Sequence, residues 1–211
     1  MQVRAEDAYA AAATGRRELA DLLESLTDDQ LNAPSLCAGW SVRVVGAHVA
    51  AAISVSKTRF LLSTALTGFS FNRTNSRLAH EMAKRPMAEL VATLRARADT
   101  PVSPPVVGPS GPMTDVIVHT GDICLALRLP FDPPATTMPL VLDFLSGRAP
   151  GFVGRNLLRG LQLKPVDLDR TWGSGEPVVG RAADIAMAVC GRRSATTVLT
   201  GAGAELLRAR L

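Results

Sequence analysis

The chain has 211 residues, of which 47% are hydrophobic and 20% are charged, and its 23 basic and 19 acidic residues give a net charge of +4. This composition is too apolar and too weakly charged for a disordered protein, and the length allows a sizeable core. The longest uncharged apolar run, near residues 44–56, falls short of the roughly 20 residues that a membrane-spanning helix needs. Acidic residues at positions 6 and 7 do not suit a secretory signal, so we expect a cytoplasmic globular protein with no membrane partner.

Cysteine spacing and charge distribution exclude further classes of protein. Cys37, Cys124 and Cys190 are odd in number and far apart, which indicates neither a disulfide framework nor a cysteine-rich zinc motif. The basic residues are dispersed along the chain without interleaved aromatic residues, so we expect no nucleic-acid partner.

Three helical patterns occupy the first half of the chain. The Ala- and Leu-rich stretch 3–26 predicts a long first helix. Ser41 is placed to cap a second helix, whose apolar residues recur at helical spacing until Gly68. A third helical region, 74–99, is divided by Pro86, which fits only the first turn of a new helix.

A fourth helix is predicted over residues 114–129, after a loop rich in Pro, Gly and Ser. Thr114 is placed to cap this helix and Pro130 to end it, so Asp115 is expected in its first turn. Four helices before residue 135 are typical of an antiparallel bundle.

The sequence pattern changes beyond residue 135. Alternating residues over 166–170 predict a strand that leads into a hairpin turn at 173–175, and helical patterns return at 141–146, at 181–190 and near the C-terminus. We therefore expect a mainly α protein with a helical domain at 1–135 and a small α+β domain at 136–211.

Two histidines and one aspartate form a candidate metal site. His48 and His119 fall on faces predicted to point inward from different helices, and Asp115 shares a helix face with His119 at i, i+4. Three nitrogen and oxygen ligands from neighbouring helices, with a fourth position open, suit a catalytic zinc or a related divalent ion. The pattern therefore predicts a metal held by His48, Asp115 and His119.

Each of these residues also has a structural interpretation that the pattern alone leaves open. A carboxylate in the first turn of a helix is favoured by the helix dipole without any metal, which would account for Asp115. His48 could be a hydrogen-bonded core histidine, and His119 could bond Asp122 or a backbone carbonyl.

Two motifs contain the candidate ligands or lie beside them. Residues 37–43, CAGWSVR, are followed by His48 and resemble the signature C-x-G-W-[ST]-V-R…H of the mycothiol-dependent maleylpyruvate isomerase family. Residues 115–122, DVIVHTGD, resemble the family's helix with an acidic residue, a histidine and an aspartate at this spacing. Trp172 and the segments 180–184 and 191–193 resemble its small C-terminal domain, so the resemblance covers nearly the whole chain.

The resemblance implies both a fold and a chemistry. The fold is a DinB/YfiT-like four-helix bundle followed by a small, sterol-carrier-like α+β domain. The chemistry uses a divalent metal, with Zn²⁺ as the expected ion, and mycothiol as the thiol cosubstrate. In the isomerase the thiol adds to an activated double bond, rotation follows and elimination returns the trans isomer, whereas conjugation results if elimination does not occur.

Carried over by position, the resemblance assigns the metal ligands to His48, Asp115 and His119. Asp115 departs from the family, because the characterised isomerase has Glu at this position. The Asp side chain is one methylene shorter and reaches about 1.5 Å less far, while metal–oxygen bonds of about 2.0–2.2 Å leave little slack. The helix must therefore lie closer, or a water must bridge.

Two further residues are predicted to take part in catalysis. Asp122 is expected to orient His119 or to receive a polar group of the thiol, with an ion pair to an arginine as its structural alternative. Arg193 is taken as the clamp for a substrate carboxylate, because Arg binds carboxylates bidentately. The pattern leaves other candidates for this clamp, namely Arg59, Arg181 and Arg192.

Three neighbours of the motifs receive structural interpretations. Trp40 is expected to pack in the core where the loop meets the second helix, and Cys37 to be a small buried hydrophobe rather than a nucleophile. His80, among charged residues, is expected on a solvated face.

Two functions are consistent with these observations. The first is a mycothiol-dependent metalloenzyme that activates a low-molecular-weight thiol for addition to a small electrophile, by isomerisation or S-transfer. The second is a catalytically inactive DinB-like module that binds a small ligand or a protein and has a degenerate metal site. The sequence does not specify the oligomeric state, and a homodimer is one arrangement that it leaves open.

Overall fold

The computed structural model describes residues 4–147 and 149–211, and its fold is mainly α with a small sheet near the C-terminus, as the sequence predicts. The helices of this part of the chain are α1 (Ala5–Ser25), α2 (Asp28–Asn32), α3 (Val42–Ser54), α4 (Lys57–Leu66), α5 (Phe71–Met82), α6 (Met87–Ala96), α7 (Ser110–Ala126), α8 (Met138–Ser146), α9 (Ala182–Val189) and α10 (Ala202–Arg210). The strands are β1 (Leu161–Pro165), β2 (Trp172–Gly173) and β3 (Glu176–Gly180), and Arg193–Val198 forms a 3₁₀ helix. In the described part of the chain, no helix is long and apolar enough to cross a membrane.

The second predicted helix is in fact two helices. Val55 is extended, with φ −73° and ψ 129°, and ends α3. Ser56 then caps α4, because its hydroxyl oxygen accepts the backbone N–H of Arg59 at 3.2 Å. The expectation of one continuous helix up to Gly68 is wrong, since this local cap replaces the helical hydrogen bonds that continuation would have made.

Helix α7 begins earlier than predicted. Its first residue is Ser110, so Thr114 lies inside the helix rather than at its N-cap. Among the described residues, the buried Thr114 hydroxyl has no hydrogen-bond partner. Asp115 consequently lies in the second turn, where the helix dipole offers a carboxylate little stabilisation.

Pro86 also differs in position from the prediction. It is the N-cap residue that precedes α6 rather than a member of the first turn of that helix. The division of the third helical region at this proline is as predicted, because proline cannot continue α5.

The C-terminal sheet has the strand order β2-β1-β3, with β1 antiparallel to β2 and parallel to β3. The predicted strand over 166–170 is wrong, because these residues form a bend after β1. The Asp167 carboxylate accepts the Ala182 N–H at 2.8 Å at the start of α9, and Val166 is 67% exposed. The predicted hairpin is also absent, since the turn at 173–175 joins β2 to β3, which are not neighbours in the sheet.

The chain divides into two compact units that are not continuous in sequence. One unit comprises Tyr9–Val102 and Asp115–Pro130, and the other comprises the described residues up to Ala8, Ser103–Thr114 and Phe131–Leu211. Each has its own buried apolar core, with Leu19, Leu23, Leu90, Leu94 and Ile123 in the first unit and Leu142, Leu145, Leu161, Leu163, Ile185 and Met187 in the second. The domain boundary at residue 135 and the four-helix bundle stay predictions.

Gly175 lies close to the backbone of Gly160 beside the C-terminal sheet. Its φ is +131°, and a Cβ there would lie 2.1 Å from the backbone oxygen of Gly160. We expect Gly175→Ala to lower the free energy of unfolding by about 3 kcal/mol, because backbone strain and a backbone clash combine. Urea denaturation followed by circular dichroism measures this loss.

Gly151 provides the matched control. Its φ is also positive, at +85°, but a Cβ there would meet no atom within 4 Å. Gly151→Ala should therefore cost only about 1 kcal/mol, from the backbone conformation alone. Equal losses in the two variants would contradict the close approach of Gly175 to Gly160.

Candidate functional site

His48 is a polar side chain on a core helix. Ser41 caps α3 by accepting the Val44 N–H at 3.4 Å, and the helix is buried along most of its length. A helix that is apolar on nearly all sides is typical of a protein core. Only 11% of the His48 side chain is exposed, so the imidazole needs a polar partner within the fold.

Asp115 on α7 is that partner. Its Oδ2 lies 3.3 Å from His48 Nε2, and its Oδ1 lies 3.4 Å from His119 Nε2 one turn further along α7. The ligand atoms of the three residues all lie within 4.8 Å of one another. The shorter Asp side chain thus reaches both imidazoles without a bridging water.

These separations suit a metal ion. Zinc bonds of about 2.0–2.1 Å in a tetrahedral arrangement place two ligand atoms about 3.3–3.4 Å apart. The two measured nitrogen–oxygen distances are 3.3 and 3.4 Å. Two imidazoles and one carboxylate are also a donor set of catalytic zinc sites, which leave a fourth position open. The residues therefore fit a divalent ion, and their role as its ligands stays a prediction.

Asp122 holds the second imidazole in one orientation. The Nδ1–H of His119 donates to Asp122 Oδ2 at 3.0 Å, and the Asp122 side chain is fully buried. With Nδ1 bonded to Asp122, His119 directs Nε2 towards Asp115. Metal-binding histidines are usually held in this way, so the geometry favours the orienting role among the alternatives for Asp122.

The electrostatics of the site favour a positive charge between the carboxylates. Burial alone would raise the pKa of Asp115, but the imidazoles of His119 and His48 hold that pKa well below its usual range. Burial alone would lower the pKa of His119, but Asp115 and Asp122 raise it to about 9. Without a metal, the protonated ring of His119 therefore supplies a positive charge between Asp115 and Asp122. A cation bound beside Asp115 would supply positive charge in its place.

Trp40 lies beside the two imidazoles and is half-buried, so the expectation that it packs in the core is wrong. Its ring centroid lies 5.2 Å from that of His48, and it stacks on His119 at 6.1 Å with an interplanar angle of 26°. The Trp40 ring also contacts the exposed ring of His80 edge-on, with the two centroids 6.4 Å apart. Trp40 therefore restricts the rotation of both imidazoles.

The loop before α3 positions Trp40 by hydrogen bonds. The Ser35 hydroxyl donates to the Trp40 carbonyl at 2.9 Å and accepts the Cys37 N–H at 3.1 Å. The Leu36 N–H donates to the backbone oxygen of Asp122 at 3.2 Å, which ties the loop to α7. Cys37 is half-buried, and its sulfur lies within 4.8 Å of polar side-chain atoms of His119 and Asp122, so the expectation of a buried hydrophobic residue is wrong.

Arg16 is a buried charged residue of the same unit, and the sequence analysis missed it. Its side chain is buried on α1, and its Nη1 donates to the carbonyls of Ala98 and Thr100 at 2.6 and 2.9 Å. Burial lowers the pKa of Arg16, and the negative charges of Asp115 and Asp99 act in the opposite direction. The positive charge of Arg16 therefore interacts with the Asp115 carboxylate. A sequence signal existed, because Arg16 lies on the apolar stripe of α1, at helical spacing from Ala12, Leu19 and Leu23.

The candidate clamp Arg193 lies in the other unit. It opens the 3₁₀ helix, and its side chain is exposed. The other candidates have partners, since Arg59 pairs with Glu81, Arg181 with Asp132, and Arg192 donates to the Cys190 carbonyl. The role of Arg193 stays a prediction.

The chain resembles a known protein family and two solved structures. Residues 12–124 match the family model described as the mycothiol maleylpyruvate isomerase N-terminal domain. A crystal structure of a histidine-to-alanine mutant of the mycothiol-dependent maleylpyruvate isomerase is similar to this chain with a TM-score of 0.62, at 16% sequence identity, over 95% of this chain and 93% of that chain. A second crystal structure of the mycothiol-dependent maleylpyruvate isomerase has a TM-score of 0.58 with the same identity and coverage. At this identity the likeness shows the fold alone, and no curated protein sequence matches the chain.

Arg16 and its neighbour Arg17 offer a matched test of the buried charge. We expect Arg16→Met to lower the free energy of unfolding by about 3–5 kcal/mol, because two carbonyls lose their donor and Asp115 loses a compensating charge. Arg17 is about half exposed and pairs with the exposed Asp99, so Arg17→Met should cost at most about 1 kcal/mol. Urea denaturation of both variants measures the difference in their free energies of unfolding. Similar small losses in the two variants would show that the buried interactions of Arg16 contribute little to stability.

Proposed function

This chain belongs to the mycothiol maleylpyruvate isomerase family, and on that premise we propose that it is a metalloenzyme that activates a low-molecular-weight thiol for addition to a small electrophile. One observation carries the proposal. The Nε2 atoms of His48 and His119 face the carboxylate of Asp115 at 3.3 and 3.4 Å, with one imidazole from α3 and the other from α7. Among the described residues, this group offers two imidazoles and a carboxylate to one ion.

His48, Asp115 and His119 are the proposed ligands, and Zn²⁺ is the proposed ion. When bound, such an ion lowers the pKa of a coordinating thiol so far that the thiol ionises to the nucleophilic thiolate. About a quarter of the Asp115 side chain is exposed, against about a tenth of each imidazole. Access for a thiol is therefore proposed on the side of Asp115.

The surrounding residues prepare the ligands rather than react. Asp122 keeps the proton of His119 on Nδ1, which leaves Nε2 available as a ligand atom. Trp40 covers both imidazoles and limits their rotation and their access to water. Arg16, buried on α1, carries a positive charge that interacts with the charge of Asp115. Asp122 is accordingly a positioning residue in this proposal.

Mycothiol is the proposed thiol, because the family is defined by enzymes that depend on it. Addition of its sulfur to an activated double bond would be followed either by elimination, which gives isomerisation, or by release of the adduct, which gives S-transfer. Arg193 is the proposed clamp for a carboxylate of the electrophile, since a guanidinium binds a carboxylate through two parallel hydrogen bonds.

Metal content distinguishes a ligand histidine from an exposed one. We expect the wild-type protein, purified without chelator and supplied with zinc, to hold about one ion per chain, and His48→Ala to hold less than about 0.2, because one of three ligands is lost. His80→Ala is the matched control, since His80 is exposed and lies beside the same Trp40 ring. Elemental analysis of the three proteins measures the occupancy.

Turnover separates the metalloenzyme from a binding module. A panel of thiols that includes mycothiol, assayed with small electrophiles that carry an activated double bond, should show thiol-dependent turnover in the wild type and in His80→Ala. Activity that survives in His48→Ala would remove the metal from the mechanism. Less than about 0.2 ion per wild-type chain, unrestored by added zinc, would favour a catalytically inactive module.

Asp122→Asn tests the orientation of His119. An Asn amide can donate to Nδ1, which would move the ring proton to Nε2 and block that ligand atom. We expect zinc affinity to fall about 10–100-fold, as is usual when the carboxylate partner of a metal-binding histidine is lost. Competition with a chromogenic chelator measures the affinity, and Asp99→Asn, which changes an exposed carboxylate, is the control. Unchanged affinity in Asp122→Asn, with its circular dichroism preserved, would mean that Asp122 does not orient the ligand.

A further inference from the structure

Helix α4 has its apolar side chains on the outside. Of its ten residues, all of them described, Ser63 is the one that is buried. Leu61, Leu62 and Leu66 are 68%, 62% and 61% exposed. A surface helix normally buries its apolar stripe and shows polar residues to water, so α4 has the reverse arrangement.

The turn after α4 extends the apolar surface. Phe69 is 81% exposed and has a φ of +58°, which is unusual for a bulky residue and costs about 1–2 kcal/mol. Its N–H donates to the Thr64 carbonyl at 2.9 Å, so the backbone holds this conformation. Phe71 is 61% exposed, and its ring contacts that of Phe60 edge-on at 6.0 Å. The turn thus holds Phe69 outward at a conformational cost that burial in the chain itself does not offset.

We call the exposed large apolar side chains of α4, of the turn after it and of the first residue of α5 the α4 face: Leu61, Leu62, Leu66, Phe69 and Phe71. In the described part of the chain, the other large apolar side chains that are exposed are separated from one another in sequence: Val106, Val166, Val198 and Leu206. An aromatic side chain has about 150–250 Å² of surface and a leucine somewhat less, so five side chains that are 61–81% exposed present on the order of 600 Å². The largest apolar patch on a typical monomer measures about 300–600 Å² and is often functional, and the α4 face lies at the upper end of that range.

We propose that the α4 face is the interface of a homodimer, with a second copy of this chain as its occupant. Two copies of the face would bury on the order of 1,200 Å² together, which is the lower end of the range for specific protein interfaces. Leu62 and Leu66, one helical turn apart, form a ridge that can pack beside the same ridge of the second copy across a two-fold axis.

Charge favours a protein occupant over a lipid surface. Attraction to anionic lipids needs a cluster of about four or more basic residues beside the apolar surface. Helices α4 and α5 carry four basic residues, Lys57, Arg59, Arg73 and Arg77, and one acidic residue, Glu81, so their net charge is +3. Arg59 and Arg77 both pair with Glu81, at 3.1 and 3.0 Å, which leaves fewer free positive charges than such a cluster needs. An apolar surface with this partly balanced rim is typical of a protein interface.

Sedimentation velocity over a range of micromolar concentrations tests the proposal on the full chain. We expect the wild type to show a monomer–dimer equilibrium, and the double variant Leu62→Glu, Leu66→Glu to weaken dimerisation at least tenfold, because two like charges per copy would meet in an apolar interface. Both positions are well exposed in the single chain, so circular dichroism should be unchanged. Val166→Glu, which adds a charge at an exposed apolar residue elsewhere, is the matched control and should dimerise as the wild type does.

Three outcomes would overturn the proposal. The first is a wild type that stays monomeric up to high micromolar concentration. The second is a dimer that the double variant leaves intact, which would place the interface elsewhere. The third is a monomer that floats with vesicles of phosphatidylcholine and phosphatidylserine through the same two leucines, which would assign the α4 face to a membrane surface.

Discussion

The carboxylate of Asp115, held between two imidazole nitrogens, is the interaction on which the arrangement of the site depends. It joins α3 to α7, because His48 comes from one helix and His119 from the other. A negative charge in such a place needs nearby positive charge, since ions in a protein interior lose most of their hydration. Arg16 supplies a permanent charge, and His119 supplies a second one when it is protonated. The same balance would accept a divalent ion.

The residues around this carboxylate restrict the ligands in different ways. Asp122 acts through a hydrogen bond to the far nitrogen of His119, and Trp40 acts through ring contacts with both imidazoles. The Leu36 N–H bond to the Asp122 backbone joins the loop that carries Trp40 to the helix that carries two of the ligands. Each of these contacts removes freedom of rotation, so a metal would find its ligands already oriented.

Helix α4 and the turn after it differ from the site, because their distinctive feature is exposed apolar surface rather than buried charge. Their apolar side chains face water, although burial of such surface is the main favourable contribution to folding. A monomer gains nothing from an outward Phe69 in a left-handed conformation. The candidate metal site and the α4 face therefore constrain the sequence independently, because the first needs oriented polar groups and the second an apolar surface.

The sequence by itself determined the mainly α fold, the family, and the residue types placed at helical spacing on α3 and α7, since helix periodicity and capping are properties of neighbouring residues. It did not determine that α7 begins at Ser110, that residues 166–170 bend because Asp167 caps another helix, or that β1 lies between β2 and β3. The sequence also could not show that the Trp40 ring packs against two imidazoles, or that the charge of Arg16 interacts with that of Asp115. Those outcomes depend on distances between segments far apart in the chain, and such distances are decided when side chains pack, which no local pattern of residues specifies.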